Sequence, residues 1–337
     1  MKSNLKKIAL VIVLFWGTNK TFGQGFVPLF NEYLSENLYM IHPAMAGTNL
    51  KTMRINTGSR QQWFDLPEAP QTNLLTIEYR ASKNSILGGQ FFKDQNGYHS
   101  KNSSYLTYAY RIYLSDEIWN TRRSFPTKND NIKELSFGLS VGSVRYSFDQ
   151  SSFDPRITDP LLNNNNRSGI GYITVDVGAA YVSTHLSTQI SIKNITLSPT
   201  KYSQSQENPN FDTTKYKHYL LSLQYEIYSN KGWNFEPSFL IQYLERTQES
   251  SLDLNFKIYK LVSNGRLWLG ASYRRNFTPV KTPSEPSSAK QNHRHFTPVF
   301  GLNYKQFMVS YHYTKTLGKI NLGTTGLHYF SLGISIF

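Results

Sequence analysis

The chain has no cysteine in 337 residues, which excludes disulfide staples, thiolate metal sites and cysteine nucleophiles. Beyond its first twenty or so residues it has no apolar run of the ~18 or more residues that a spanning helix needs. Mean hydropathy is −0.46 and only 17 % of residues are charged, so a multi-helix membrane protein is excluded. No phosphate-binding glycine loop, dinucleotide fingerprint or serine nucleophile elbow is present. The net charge of +14 would suit nucleic acid, but the basic residues are scattered and form no binding helix or arm, so no nucleic-acid partner is expected. What the chain has in abundance is aromatic residues, with 23 Tyr and 21 Phe.

The first segment reads as an address. Lys2, Lys6 and Lys7 precede an apolar run from Ile8 to Trp16, and Thr21-Phe22-Gly23-Gln24 offers a small residue for cleavage. This is the layout of a secretory signal peptide, with cleavage expected between Gly23 and Gln24. Removing Lys2, Lys6, Lys7 and Lys20 leaves 32 basic residues against 22 acidic, or +10.

After that segment the hydropathy has a period of two. Leu252, Leu254, Phe256 and Ile258 fall on one side, and Asp253, Asn255 and Lys257 on the other. Tyr219, Leu221, Leu223, Tyr225 and Ile227 alternate in the same way with Ser222, Gln224 and Glu226. Successive strand side chains point to opposite faces, so these segments are strands with one apolar and one polar face. Fourteen are expected, at 53–60, 73–81, 85–93, 104–114, 135–148, 173–183, 186–194, 218–229, 234–246, 251–261, 266–275, 295–304, 306–314 and 326–337. Most approach the ~9–11 residues that cross a bilayer at a tilt, whereas soluble sandwich strands are nearer ~5–6.

Connection lengths alternate too. The joints at 82–84, 184–185, 230–233, 262–265 and 305 are short, while 61–72, 94–103, 149–172, 195–217, 276–294 and 315–325 are long, with 115–133 and 247–250 as exceptions. Short periplasmic turns and long outside loops belong to bacterial outer-membrane barrels, as do aromatic girdles at both interfaces. The expected fold is all-β: a transmembrane antiparallel barrel of about fourteen strands, with both termini in the periplasm. The expected organisation is a signal peptide at 1–23, an N-terminal periplasmic segment and barrel floor at 24–50, and the barrel at 51–337.

Chemistry-bearing groups are sparse. His293-Arg294-His295 would need a third ligand to hold a metal, and reads as a solvated loop beside a strand start. Asp149, Asp154 and Asp159 share a loop, but their spacing matches no calcium loop. Ser183 and His185 straddle a turn without a hydrolase context. No catalytic, cofactor or metal residue is assigned, and an enzyme is not expected.

After Gln24 the chain reads FVPLFNEYLSENLYMIHPAMAG, then RINTGSRQQWFDLPEAPQTNLLTIEYR. These stretches resemble the PorP/SprF family, outer-membrane proteins of the type IX secretion system of the Bacteroidetes. Its opening F-x-x-Y-x-x-N is carried, with a slightly different spacing, by Phe30, Tyr33 and Asn37, and its N-P-A-x-A-G by Pro43, Ala44, Ala46 and Gly47. Arg60, Gln62 and Trp63 match Y-R-x-Q-W, and Ala69, Pro70 and Thr72 match G-A-P-x-T. The likeness continues through Pro237–Leu240, Leu267–Arg274 and Ser331–Gly333. His42, Ser59 and Glu68 depart from the family pattern, where Asn, an aromatic and Gly are usual.

The resemblance implies a non-enzymatic component without cofactor that supports export or surface attachment of a large secreted protein, such as a gliding adhesin, or works with the core secretion machinery. From the residues alone, Pro43–Gly47 reads as a tight bend closing the barrel floor, and Gln62-Trp63 as an interfacial anchor. The loops at 149–172, 195–217 and 276–294 are candidate partner contacts by length. A diffusion porin and a soluble sugar-binding β-protein are the alternatives.

Overall fold

The computed structural model describes residues 36–62, 69–115, 131–149, 167–197, 217–229, 232–245, 248–277, 294–317 and 326–336. Its strands are β1 (Met53–Gln62), β2 (Gln71–Arg80), β3 (Ser85–Asn96), β4 (His99–Tyr113), β5 (Lys133–Asp149), β6 (Arg167–Ser183), β7 (Leu186–Thr196), β8 (His218–Tyr225), β9 (Ile227–Tyr228), β10 (Trp233–Leu244), β11 (Glu249–Val262), β12 (Gly265–Asn276), β13 (Arg294–Tyr304), β14 (Phe307–Leu317) and β15 (Leu327–Ile336). β8 and β9 are one stave interrupted at Glu226, so the sheet has fourteen staves. Each pairs antiparallel with its sequence neighbour. The sheet closes because β1 also pairs with β15 along its whole length, from Met53↔Ile336 to Gln62↔Leu327. Closure leaves no unpaired edge, the condition for a sheet to sit in lipid.

The alternation read from the sequence sorts side chains between two solvents. On β11, Leu254 and Phe256 face outward and are exposed, while Asp253 and Lys257 face the lumen at 0 % and 2 % exposure. The outward face carries an apolar band that includes Leu106, Leu139, Val141, Leu221, Ile241, Leu269 and Leu332. Outward aromatics flank it: Tyr79, Tyr110, Trp233, Tyr304 and Phe307 near one rim, and Tyr219, Tyr243, Phe277 and Phe296 toward the other. An apolar band between aromatic girdles around a polar interior is what a bilayer selects.

One rim, the turn end, carries the start of β1, the end of β15 and the short joints at 81–84, 184–185, 263–264 and 305–306. The opposite rim, the loop end, carries the connections at 63–70, 150–166, 197–217, 277–293 and 318–326. One expected long connection, 94–103, is absent: β3 and β4 run on to Asn96 and His99 and turn through Gly97-Tyr98, with Gly97 at φ +56°. The residues there are polar on both faces, because strands that rise past the apolar band have water outside and inside alike. Outward Lys93, Gln95, Asn102 and Ser104 are accordingly exposed. For the same reason β5 and β6 reach 17 residues, and β6 begins at Arg167 inside the expected loop 149–172. β1, β2 and β15 have ten residues each, so the wall is tall on one side and low on the other.

Candidate functional site

Residues 36–50 do not lie beneath the barrel. They run across its interior in the turn-end half, through two single 3-10 turns at Leu38–Met40 and Pro43–Met45, and then leave to start β1. Such a segment cannot satisfy its own backbone, so its carbonyls need donors from the wall. The inward faces of β2 to β8 supply them. Gln90 donates to the Tyr39 carbonyl at 2.8 Å, Lys193 to Met40 at 3.0 Å and Ser136 to Ala44 at 2.7 Å. Arg111 reaches the Ala46 carbonyl at 2.5 Å and the Thr48 hydroxyl at 2.7 Å while pairing with Glu134 at 2.7 Å. Arg80 donates to the Gly47 and Leu50 carbonyls at 3.1 and 2.8 Å, and the Gly47 N–H donates to Glu78 at 2.6 Å. Both charges of the Arg111–Glu134 pair are buried, and other guanidinium donors go to the plug, at the Ala44 and Ala46 carbonyls and the Thr48 hydroxyl.

Apolar contacts complete the seal. Met40 and Ile41 pack into Leu74, Phe92, Tyr105, Val144, Tyr172, Leu220 and Leu240, which all point into the lumen. Burying each such side chain is worth roughly 1.5–3 kcal/mol. The plug also needs room at the wall. A Cβ at Gly138 would collide with the backbone at Pro43 and Ala44, and one at Gly88 with the Tyr39 ring. Gly47 itself sits at φ +74°, a region that residues with a side chain rarely adopt.

Three side chains of the segment carry its electrostatics. Glu36 pairs with Lys257 at 3.3 Å and with Arg266. Burial alone would raise its carboxyl, but Arg266 and Lys257 outweigh it and hold the pKa at about 2. His42 bridges β7 and β8, with Nδ1 2.9 Å from the Ser191 hydroxyl and Nε2 2.8 Å from that of Ser222. Ser222 donates its one proton to the side-chain amide oxygen of Gln189, so Nε2 of His42 is the donor to Ser222 and Nδ1 accepts from Ser191. The ring is neutral: burial, reinforced by nearby Lys193, lowers its pKa to about 3. The Tyr39 hydroxyl donates to Thr107 at 2.7 Å, and burial raises its pKa.

The residues singled out by sequence divide into three groups. Asn37, Pro43, Ala44, Ala46 and Gly47 are all buried in the plug, Asn37 donating to Thr76 at 2.7 Å. Arg60, Gln62, Ala69, Pro70 and Thr72 lie apart from it at the loop end of β1 and β2, where the Gln62 N–H donates to the Pro70 carbonyl at 3.1 Å and Thr72 donates to Asp94 at 2.5 Å. Phe30, Tyr33, Trp63, Gly23 and Gln24 lie outside the described residues, as do His293, Asp154, Asp159, Phe337 and most of the loops proposed for partner contacts. His295 touches the Thr316 hydroxyl at 3.4 Å, and no group of three metal-ligating side chains occurs among the described residues.

Sequence reasoning missed the wall of the plug, although a signal was there. Leu74-Leu75, Phe91-Phe92, Leu220-Leu221 and Leu240-Ile241 are doubled apolar residues that break the alternation. In each pair one member faces lipid and the other the plug.

The family model described as "Type IX secretion system membrane protein PorP/SprF" matches residues 23–334. No curated protein matches the chain. Among solved structures, the chain is similar in form to the Pseudomonas putida toluene transporter TodX, at 10 % identity over 90 % of this chain and 93 % of that one, with a TM-score of 0.45. It is also similar to a Pseudomonas aeruginosa FadL homologue (9 % identity, 87 % and 96 % covered, TM-score 0.45). A third is BamA from Haemophilus ducreyi lacking POTRA domains 1–3 (11 % identity, 84 % and 70 % covered, TM-score 0.44).

Proposed function

Because this chain belongs to the PorP/SprF family of type IX secretion system membrane proteins, we propose that it is a non-enzymatic outer-membrane anchor that supports export or surface attachment of one large secreted protein. The observation that carries this reading over a diffusion porin is the plug. Residues 36–50 are hydrogen-bonded to five or more staves and packed against an apolar luminal cluster. An aqueous porin keeps a polar, water-filled bore. Here the bore is interrupted by an element tied down at every turn, which suits a protein that holds a partner rather than one that passes solutes.

In this reading the turn end faces the periplasm and the loop end faces outward, so a client is met by the connections at 149–172, 195–217 and 276–294. The test is a pull-down of the tagged protein from detergent-solubilised outer membranes, with mass spectrometry of what accompanies it. A very large secreted protein in near-equal amount supports the reading. Recovery with periplasmic ring components instead assigns it to the core machinery, and a solitary barrel with steady single-channel conductance overturns it in favour of a porin. Deleting the three loops one at a time assigns the contact; unchanged surface retention of the client in all three variants removes the loops from the account.

A further inference from the structure

Between the plug and the turn-end rim lies a cavity of about 130 Å³. Its walls are of two kinds. One is apolar: Leu38 and Met45 of the plug, Ile132 beside β5, Val182 of β6 and Leu186 of β7. The other is charged, and its cations are committed. Arg54 pairs with Glu78 at 3.4 Å, Lys257 with Glu36 and Glu236 at 3.3 and 3.4 Å, and Arg266 with Glu36.

One carboxylate in the cavity is in no ion pair, although the Arg266 guanidinium, held by Glu36, attracts it. Glu226 stands at the interruption between β8 and β9, its side chain hydrogen-bonded to the Tyr228 hydroxyl. Its backbone is fixed from the neighbouring turn: its N–H donates to the His185 carbonyl at 2.7 Å, and its carbonyl lies 2.9 Å from Nδ1 of His185. The His185 ring packs on Tyr225 and Tyr228. The lip that presents Glu226 is therefore tied to the neighbouring turn by hydrogen bonds and ring contacts.

We propose that this cavity receives a lysine side chain from a protein partner at the turn end, with Glu226 as its counter-charge. An apolar wall leading to one carboxylate matches a four-carbon stem tipped by a compact ammonium. An arginine fork favours a planar, bidentate partner, and a divalent cation such as calcium takes about six to eight oxygen ligands, where this site has one carboxylate outside an ion pair. The site is at the opposite rim from the loops assigned to the client, so it stands whether or not that assignment does.

The test is zero-length carbodiimide coupling of the full-length protein in native outer membranes, followed by mass spectrometry of peptides joined to Glu226. An amide between Glu226 and a lysine of another polypeptide is expected. Without coupling agent, co-purification of that polypeptide should fall about tenfold or more in Glu226→Gln, the scale of removing one member of a buried charge pair. It should be unchanged in Glu245→Gln, a half-exposed carboxylate near the loop end. Val182→Phe, which fills the apolar wall and keeps Glu226, should lower recovery as well. Heat-modifiable migration on gels verifies that each variant is a folded barrel. Coupling only to this chain's own lysines, to a lipid amine or to added free polyamine overturns the proposal, as does full partner recovery in both variants.

Discussion

The lumen wall has two arcs that share one backbone pattern and use it differently. Along β2 to β8 the inward face is filled: its donors end on plug carbonyls, and its apolar members close over Met40 and Ile41. Along β10 to β12 the inward face pairs largely within the wall, around the buried Tyr259 and Trp268, and it meets the plug only through Leu240 and at Glu36. Arg274 chelates Asp253 with two bonds of 2.5 Å, and Lys257 spans Glu236 and Glu36. Beside them Ser238, Asn255 and Ser272 stand in register across three strands, with hydroxyl and amide groups bonded to no protein atom. Burying a polar group without a partner costs free energy, so those side chains rank as tolerated rather than as stabilising. Strand alternation decides only which side a residue faces; what fills the inside decides its worth.

The largest break in the comparison comes from Gly138→Val. Its side chain meets plug backbone, which cannot swing aside, so the plug should leave its seat. Planar-bilayer recordings are expected to change from closed to conducting, and a variant as silent as the parent would show that the plug does not seal the bore. Next in size is Arg111→Ala, which breaks the buried ion pair with Glu134 and removes the donors to the Ala46 carbonyl. A loss of about 3–5 kcal/mol is expected in denaturant unfolding from detergent, as for other broken buried pairs.

Acid should loosen the plug in two stages, at His42 on the filled arc and at Glu36 on the other. His42 titrates near 6.5 when undocked and at about 3 when docked, so the undocked state takes up the proton first and docking weakens as pH falls from about 6.5 towards 3. Glu36 is near 4.5 undocked and at about 2 docked, so its contribution is present above 4.5 and lost as pH falls towards 2. Hydrogen-exchange protection of the Met45 and Ala46 amides should follow both, and His42→Asn should abolish the upper stage alone. An unaltered profile in that variant would refute the assignment. The smallest effect is expected on the other arc: Ser272→Ala removes a buried hydroxyl bonded to no protein atom and should leave unfolding unchanged or raise stability by up to about 1 kcal/mol.

The barrel was legible because its signal is local and repeated. Leu252 to Ile258 declares its two faces within seven residues, and the register along the sheet follows from neighbouring strands. The one misplaced connection, at 94–103, lies where strands leave the bilayer and the contrast between faces disappears. The plug was legible only as a bend. Its partners are single residues in separate strands, as when His42 meets Ser222 180 positions away, and no short window holds both. The doubled leucines and phenylalanines mark its seat, but they carry meaning only once something is known to lie inside. Of the family-motif residues, Pro43 to Gly47 act together on the wall, whereas Arg60 to Thr72 sit near the other rim.

The plug precedes the first strand in the chain and is held by the strands that follow soonest. That order has a consequence for assembly. A peptide entering a finished cylinder must be threaded through its mouth, stripping water from every carbonyl on the way. Here the chain can lay residues 36–50 onto the curved open sheet of β2 to β8 while β15 is still far from β1, and the seam can then close over a core already in place. The topology thus allows this barrel to wrap around its plug, with the strand made first and the strand made last joined at the end.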